Sequence, residues 1–306
     1  MLPKVTVQIP TYNQKQYIKQ ALDSALAQTY ENLQIIVSDD CSTEYDIFDY
    51  LSEYKDNSKV LIHRNEKNYG RVGNYRKTLF NLVKGEWFIN LDGDDYFINV
   101  NFVKKGIESI NCSKKTIVAF QASANLIKIE ENKINYLKLN NGSYEVEGLH
   151  YINYLDNGVG FTHASIMFNT KYAKKSNFYN IDILDSDYFS FLKILKYGYI
   201  IFWDEEVYTW RQHANQESWG IDFKKVLAKD DALKDLKKQY ADVNISIKKR
   251  MFLVTHYNLY LQIVDCFFNE KFILPNFFFI LKKTKPKREY VRFLAAKIYY
   301  QIKKAL

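Results

Sequence analysis

Four short apolar runs, separated by helical patterns, fill the first hundred residues, and that alternation restricts the fold more than any other feature of the chain. KVTVQIP (Lys4 to Pro10) is rich in β-branched residues and stops at a proline, which has no N–H to extend a ladder. Apolar residues then recur three and four apart at Tyr17, Ile18, Ala21, Leu22, Ala25 and Leu26, the period of one helix face. LQIIVS (Leu33 to Ser38) reads as a buried strand, followed by a helix around Asp46 to Tyr54 and the strand VLIHR (Val60 to Arg64). A helix from about Gly73 to Val83 and the strand EWFINL (Glu86 to Leu91) complete the series. Such alternation builds βαβ units, so the expected class is α/β, with a mixed, mostly parallel central sheet flanked by helices.

Two of these strands end in acidic residues, Asp39-Asp40 and Asp92 to Asp95. In open parallel sheets, ligands bind outside the carboxyl ends of the strands, which puts both clusters on one rim. The turn after the first strand, TYNQKQY, holds no glycine, so a diphosphate would not rest on a glycine-rich loop and would need a metal instead. NLDGDDY crowds Asp92, Asp94 and Asp95 into four residues, where like charges repel, and the cluster asks for a counter-cation. Hard ions such as Mg2+ or Mn2+ take oxygen ligands and share their coordination sphere with substrate phosphates. On an extended segment Asp92 and Asp94, two apart, would face one ligand, with Gly93 giving it room to approach. The same residues could instead form an acidic loop capping the helix near Asn101. Tyr12 could stack on a nucleobase or simply pack, and Asp39 could accept from a base N–H or cap the helix after CST.

Beyond Phe102 the order is less regular. IVAFQASANLIKI and INYLKL read as strands, as does ASIMF (Ala164 to Phe168), then a helix over Tyr188 to Tyr197 and strands at YIIFW and EVYTWR. From Trp219 onward the pattern is helical, with breaks at Pro275 and Pro286. The expected division is therefore a catalytic domain over 1–220, with halves 1–100 and 101–220, and a basic helical extension over 221–306. At 306 residues, 47% apolar and 25% charged, the chain is ordinary globular material. Its net charge of +8 is uneven: Ser246 onward carries 13 Lys/Arg against 3 Asp/Glu, leaving 30 against 32 elsewhere. Three scattered cysteines, Cys41, Cys112 and Cys266, argue against a disulfide framework and fit a reducing compartment. Without an export-type start or a long apolar run, a cytoplasmic location is expected.

Together the motifs resemble a known family. VTVQIPTYNQKQYIKQALDSALAQTYENLQIIVSDDCST, then NEKNYG, then GEWFINLDGDDYF are similar to the donor half of the family 2 glycosyltransferases, which have the GT-A fold. The resemblance implies that Pro10, Tyr12 and Asp39 hold the nucleobase of a sugar nucleotide, Asp92 its ribose, and Asp94 the metal on its diphosphate, with Asp95 assisting. Two later stretches extend it. LDSDYFSFLKILKYGYIIF resembles the family's acidic pair before a helix and a Gly-Tyr strand, with Leu184 in place of its Glu; this implies Asp185 as general base and Asp187 as runner-up. TWRQHANQES resembles the YRxH stretch, which makes His213 a metal ligand and turns Arg211 toward phosphate. NYRKT departs from the family's usual helix, leaving a donor contact open between Arg71 and Arg76. His63, His150, His163 and His256 are expected in ordinary surface or core roles.

The implied chemistry is inverting transfer of a hexosyl or N-acetylhexosaminyl group, with Mn2+ or Mg2+, from a nucleotide sugar such as a UDP-sugar to a hydroxyl of a glycan or lipid-linked acceptor. Capsule, O-antigen and lipooligosaccharide assembly use such steps. The end of the chain places Val291, Leu294, Ala295, Ile298, Ile302 and Leu306 on one helix face opposite Arg292, Lys297, Lys303 and Lys304. Such a helix suits an anionic membrane surface, or packs on the domain with its basic face in solvent. Two other readings compete: a sugar-nucleotide nucleotidyltransferase, which needs a glycine-rich basic first loop, and a nucleic-acid binder, which the acidic rim would repel.

Overall fold

The computed structural model describes residues 2–122, 134–152, 161, 163–213, 223–244 and 246. The chain divides into two compact units, Met1–Asn180 with Asp185–His213, and Ile181–Leu184 with Ala214–Leu306. The expected boundary between 220 and 221 and the basic tail lie outside the described residues.

The first unit is built on a sheet of nine strands. The expected series appears as β1 (Val5–Thr11), α1 (Ile18–Leu26), β2 (Leu33–Asp39), α2 (Ile47–Tyr50), β3 (Val60–Arg64), α3 (Gly70–Asn81) and β4 (Trp87–Asn90). After them come β5 (Tyr96–Phe97), α4 (Phe102–Cys112), β6 (Ile117–Ala122), β7 (Leu137–Lys138), β8 (Tyr144–Glu147) and α5 (Gly148–Tyr151). The unit closes with β9 (Ile166–Asn169), α6 (Thr170–Lys175), α7 (Ser186–Ile194), β10 (Tyr199–Trp203) and β11 (Tyr208–Thr209). Spatial order is β3-β2-β1-β4-β9-β6-β10-β8-β7, while β5 and β11 form a separate two-stranded ribbon. The four strands β3, β2, β1 and β4 are parallel, and β9 enters antiparallel between β4 and β6.

Both faces of the sheet are covered, so the central strands are buried throughout. Val5, Val7 and Ile9 share one core with Ile18, Ala21, Leu22 and Ala25 of α1. Burying Ile18 and Leu22 contributes about 1.5–3 kcal/mol each. On another patch of core, Phe88, Phe168, Phe178 and Phe191 interlock with ring centroids 5.3–6.5 Å apart, and much of the aromatic content is spent there.

Several elements are shorter than their sequence pattern. The helix expected over Asp46 to Tyr54 is one α-turn, capped by Asp46 accepting from Phe48 N at 2.8 Å and Asp49 N at 3.1 Å, then a 3-10 turn over Ser52–Tyr54. The helix after α7 tightens to 3-10 at Leu195–Tyr197 and stops at Gly198. Only Leu137–Lys138 of INYLKL and Tyr208–Thr209 of EVYTWR pair as strands. In the second unit, α8 (Phe223–Gln239) buries Ala232, Leu233 and Leu236 three and four apart.

Candidate active site

The chain runs outward from β1 through β2 to β3, then returns to pair β4 on the other side of β1. That reversal opens a crevice at the carboxyl ends of β1 and β4. There β4 ends at Asn90 while β1 continues through Pro10 to Thr11, and the missing N–H of Pro10 leaves the ladder nothing to extend. Residues 92–95 peel away as a tight turn, with Asp95 N donating to Asp92 O at 2.9 Å. The segment is thus not extended, and the idea that Asp92 and Asp94 face one ligand by alternation gives way to this turn. Gly93 has a different role from the expected one. Its N–H donates to Pro10 O at 3.1 Å, and a Cβ there would lie 2.9 Å from that same oxygen and 2.6 Å from Gln14 Oε1. The glycine makes room for β1 rather than for a ligand.

The ribbon explains how a segment more than a hundred residues away reaches this turn. β5 directly follows Asp95, β11 directly precedes Trp210, and Thr209 lies opposite Tyr96. Continuing the antiparallel register sets Arg211 beside Asp94. Arg211 N donates to Asp95 Oδ1 at 2.9 Å, Arg211 Nε to Asp94 O at 2.8 Å, and Arg211 Nη2 to Gln20 Oε1 at 2.5 Å. Its guanidinium also lies over the rings of Tyr17 and Tyr96, 4.7 and 5.2 Å from their centroids. Arg211 therefore braces the acidic turn. His213 Nε2 meets Asp94 Oδ2 at 2.8 Å, both side chains mostly buried. Burial and then the neighbouring Asp92 charge raise the Asp94 carboxyl, against the pull of His213. Asp95, more buried still, is pushed up to about 8 by burial and by Asp92.

Asp92 has a third set of partners. Tyr75, fully buried on α3, donates its hydroxyl to Asp92 Oδ1, and His163 Nε2 lies 3.2 Å from that hydroxyl and 3.9 Å from Asp92 Oδ2. The other ring nitrogen, Nδ1, is 3.0 Å from Asp187 Oδ2, an ion-pair contact whose angle falls short of a hydrogen bond. Burial alone would lower the His163 pKa, but the charges of Asp92 and Asp187 outweigh it and the net direction is up. Burial likewise pushes Asp187 up, yet His163 and Arg71 carry it below its ordinary value. His163, expected in an ordinary role, thus stands between two carboxylates of the crevice. The signal is a register: Met167 of β9 opposes Ile89 of β4, so the antiparallel run sets His163 beside the turn that begins at Asp92. Asp185 sits at the start of α7, its carbonyl accepting from Phe189 N at 2.9 Å.

On the nucleobase side of the rim, Tyr12 is 44% exposed just beyond β1. Asp39 is fully buried: Ser42 N donates to its Oδ2 at 3.1 Å, Ser42 Oγ to its Oδ1, and Arg64 Nε lies 3.7 Å away. In this conformation it anchors the 39–42 loop and offers no exposed atom to a base. Asn13 and Cys41 adopt left-handed φ of 53° and 64°, and Asn13 Oδ1 accepts from Thr43 N at 2.9 Å, which locks the two rim loops together. Of the two candidate arginines, Arg76 is spent structurally, donating to Phe178 O at 2.7 Å, while Arg71 lies over the Tyr75 ring, 5.7 Å from its centroid.

Among the described residues no group of three or more His, Cys, Asp or Glu converges as a metal cage. Asp94 and His213 nonetheless present one hard oxygen and one imidazole nitrogen within 2.8 Å of each other, a donor pair that fits Mn2+ or Mg2+ when phosphate oxygens supply further ligands.

The model of the glycosyl transferase family 2 matches residues 6–176. This chain belongs to that family. Among curated proteins it is 37% identical over 94 residues to the Escherichia coli UDP-Glc:alpha-D-GlcNAc-diphosphoundecaprenol beta-1,3-glucosyltransferase WfaP, over 31% of this chain and 36% of that protein. It is 37% identical over 138 residues to an uncharacterized glycosyltransferase of Mycoplasma genitalium, over 44% and 43% of the two chains. The family 2 chain thus spans well under half the length of these relatives. Residues 1–349 of S. aureus TarS superpose with a TM-score of 0.61 at 17% identity, over 83% of this chain and 72% of that one. A Pyrobaculum calidifontis mannosyltransferase superposes with a TM-score of 0.55 at 14% identity, over 98% and 85%. The shared architecture is the GT-A fold, in agreement with the sequence expectation.

Proposed function

We propose that this family 2 chain is an inverting, metal-dependent glycosyltransferase that moves a sugar from a UDP-sugar to a hydroxyl of a glycan or lipid-linked acceptor. The observation that carries the reading is the convergence of Asp94 and His213, at 2.8 Å, on the crevice between β1 and β4. Its neighbours support the donor: S. aureus TarS has been solved with UDP-GlcNAc, and the P. calidifontis mannosyltransferase with GDP-Man and Mn2+. WfaP, by its name, uses UDP-Glc and a diphosphoundecaprenol-linked acceptor.

In this reading Tyr12 covers the base, Pro10 and Asp39 shape the loop against it, Asp92 holds ribose, and Asp94 with His213 holds the cation. When bound, that cation neutralises charge gathering on the leaving diphosphate. Arg211 keeps the acidic turn in place for it. An acceptor hydroxyl is a poor nucleophile at neutral pH, so a carboxylate must take its proton as the new bond forms. Asp185, at the mouth of α7, is assigned that task, since Asp187 is turned toward His163 and its lowered pKa makes it the weaker base. A single base opposite the leaving group implies displacement with inversion.

The test is UDP release from a panel of UDP-sugars, with Mn2+ and with EDTA, run beside pyrophosphate exchange with UTP. Release that depends on Mn2+ supports the reading, and exchange without release points to a nucleotidyltransferase. Asp185→Asn should lower kcat by roughly 100-fold or more with UDP binding intact; unchanged turnover removes Asp185 as base.

A further inference from the structure

A continuous buried polar chain runs from the centre of the sheet to the rim and ends on Asp92. Gln8 Nε2 donates to Asn90 Oδ1, and Asn90 Nδ2 donates to the Tyr179 hydroxyl. The Tyr179 ring stacks on Tyr75, with centroids 5.2 Å apart and planes at 24°. Tyr75 in turn holds Asp92 Oδ1 and touches His163, which Asp187 pins from its far side at 3.0 Å. Tyr179 is kept in this stack despite a left-handed φ of 56°, with its N–H taken by Ser190 Oγ at 3.0 Å. A non-glycine residue adopts that backbone only where its surroundings enforce it. Tyr75, Tyr179, Gln8 and Asn90 are all buried, so none of them is a surface contact that ligand chemistry happens to recruit.

We propose that Asp187 and His163 form a positioning couple for Asp92: Asp187 orients the His163 ring, and His163 with Tyr75 fixes the Asp92 carboxylate in the orientation that receives the donor's ribose. The assignment rests on the nucleotide-sugar reading above and adds to it a division between the two carboxylates of the LDSD stretch. Asp185 faces the acceptor chemistry, whereas Asp187 works from behind the donor side. The physical reason is that Asp92 rises from a turn beside two other carboxylates. Without a cation fixed at its side, repulsion from Asp94 and Asp95 would swing it toward solvent. His163 supplies that charge from β9, and the ring can do so only while a second carboxylate keeps it from rotating away.

The experiment measures UDP affinity by calorimetry in the presence of Mn2+ for the full chain and for His163→Gln, Asp187→Asn and the double variant. Each single change should weaken UDP binding about tenfold. The double variant should lose no more than His163→Gln alone, because residues acting through one another do not add. A purely structural pair would lower the melting temperature while leaving the affinity of the folded fraction unchanged. That result, or additive losses, overturns the proposal. Should His163→Gln fail to fold, Asp187→Asn and Tyr75→Phe carry the same comparison. If the native chain binds no UDP, the nucleotide-sugar reading fails, and the couple is decided separately by the ring nitrogen resonances of His163. Asp187→Asn and Asp92→Asn must each shift them, and resonances that stay put refute the couple.

Discussion

Replacing Gly93 by alanine separates two explanations of the DGDD turn. If the glycine exists to admit a ligand, Gly93→Ala leaves the fold untouched and weakens nucleotide binding. In the structure its Cβ instead meets Pro10 O at 2.9 Å, Gln14 Oε1 at 2.6 Å and Thr11 Cβ at 3.2 Å. Gln14 is a flexible chain end and can move, but Pro10 O is backbone of a central strand and is the acceptor for Gly93 N at 3.1 Å. Relief therefore requires stretching that hydrogen bond, worth about 1 kcal/mol net, on top of about 1–3 kcal/mol for the overpacking. Gly93 is not among the residues of positive φ, so no backbone strain is added, and the lower chain entropy of unfolded alanine returns about 0.4–1 kcal/mol. The balance is a loss of about 1–3 kcal/mol. At roughly 2–4 °C per kcal/mol for a domain of this size, circular dichroism should show melting roughly 3–10 °C lower. A variant that melts with the native chain yet binds UDP more weakly would refute the packing argument and restore the ligand one.

Other expectations follow from single contacts. Arg76→Ala removes the donor to Phe178 O and the cation over Phe80, 4.5 Å from its ring centroid; it should cost about 1.5–3 kcal/mol in thermal unfolding and leave UDP affinity unchanged. The Asp187–His163 couple gives stability a pH window. The lowered Asp187 pKa contributes stability that is present above its ordinary 3.8 and lost as pH falls through the lowered value. The raised His163 pKa contributes stability that is complete below 6.5 and lost as pH rises through the raised value. The difference in melting temperature between the native chain and Asp187→Asn should therefore be greatest between about pH 4 and 6.5, and a difference that does not vary with pH would contradict the ion pair. The proposed membrane contact of the tail, whose residues lie outside the described ones, is tested by flotation on anionic vesicles with and without the residues after Lys285; equal flotation would sink it.

What could be read in advance was whatever depends on local pattern. The strands β1 to β4 and the helices α1 and α3 follow from periodicity, because each buries one face against the same sheet. Their acidic ends placed Asp92 to Asp95 at the rim through topology alone. Residues brought together by pairing between distant strands were a different matter. His213 was found only through a family-like TWRQH stretch. His163 was passed over because nothing near it in sequence is unusual, and its position depends on Met167 lying opposite Ile89. Local pattern also misled where packing was the cause. Asp39 looked like an open hydrogen-bond acceptor and proves to be the buried anchor of the 39–42 loop. Gly93 looked like space for a ligand and is space for β1.

The crowding of carboxylates after β4 then has a more specific explanation than a single metal. Each acid is met by a different strand end: Asp92 by His163 ahead of β9, Asp94 by His213 beyond β11, and Asp95 by the Arg211 backbone between them. Repulsion within the turn is thereby converted into a requirement that three separate parts of the sheet be in register at once. A cation shared by Asp94 and His213 completes a frame that the protein has already assembled, and the direct contact of those two side chains shows the frame closing in its absence. Two of the three acids thus act on substrate from fixed positions while the third, Asp95, holds the segment that carries His213. Loss of Asp95 should be felt first through the placement of His213, at a distance from any atom of the donor.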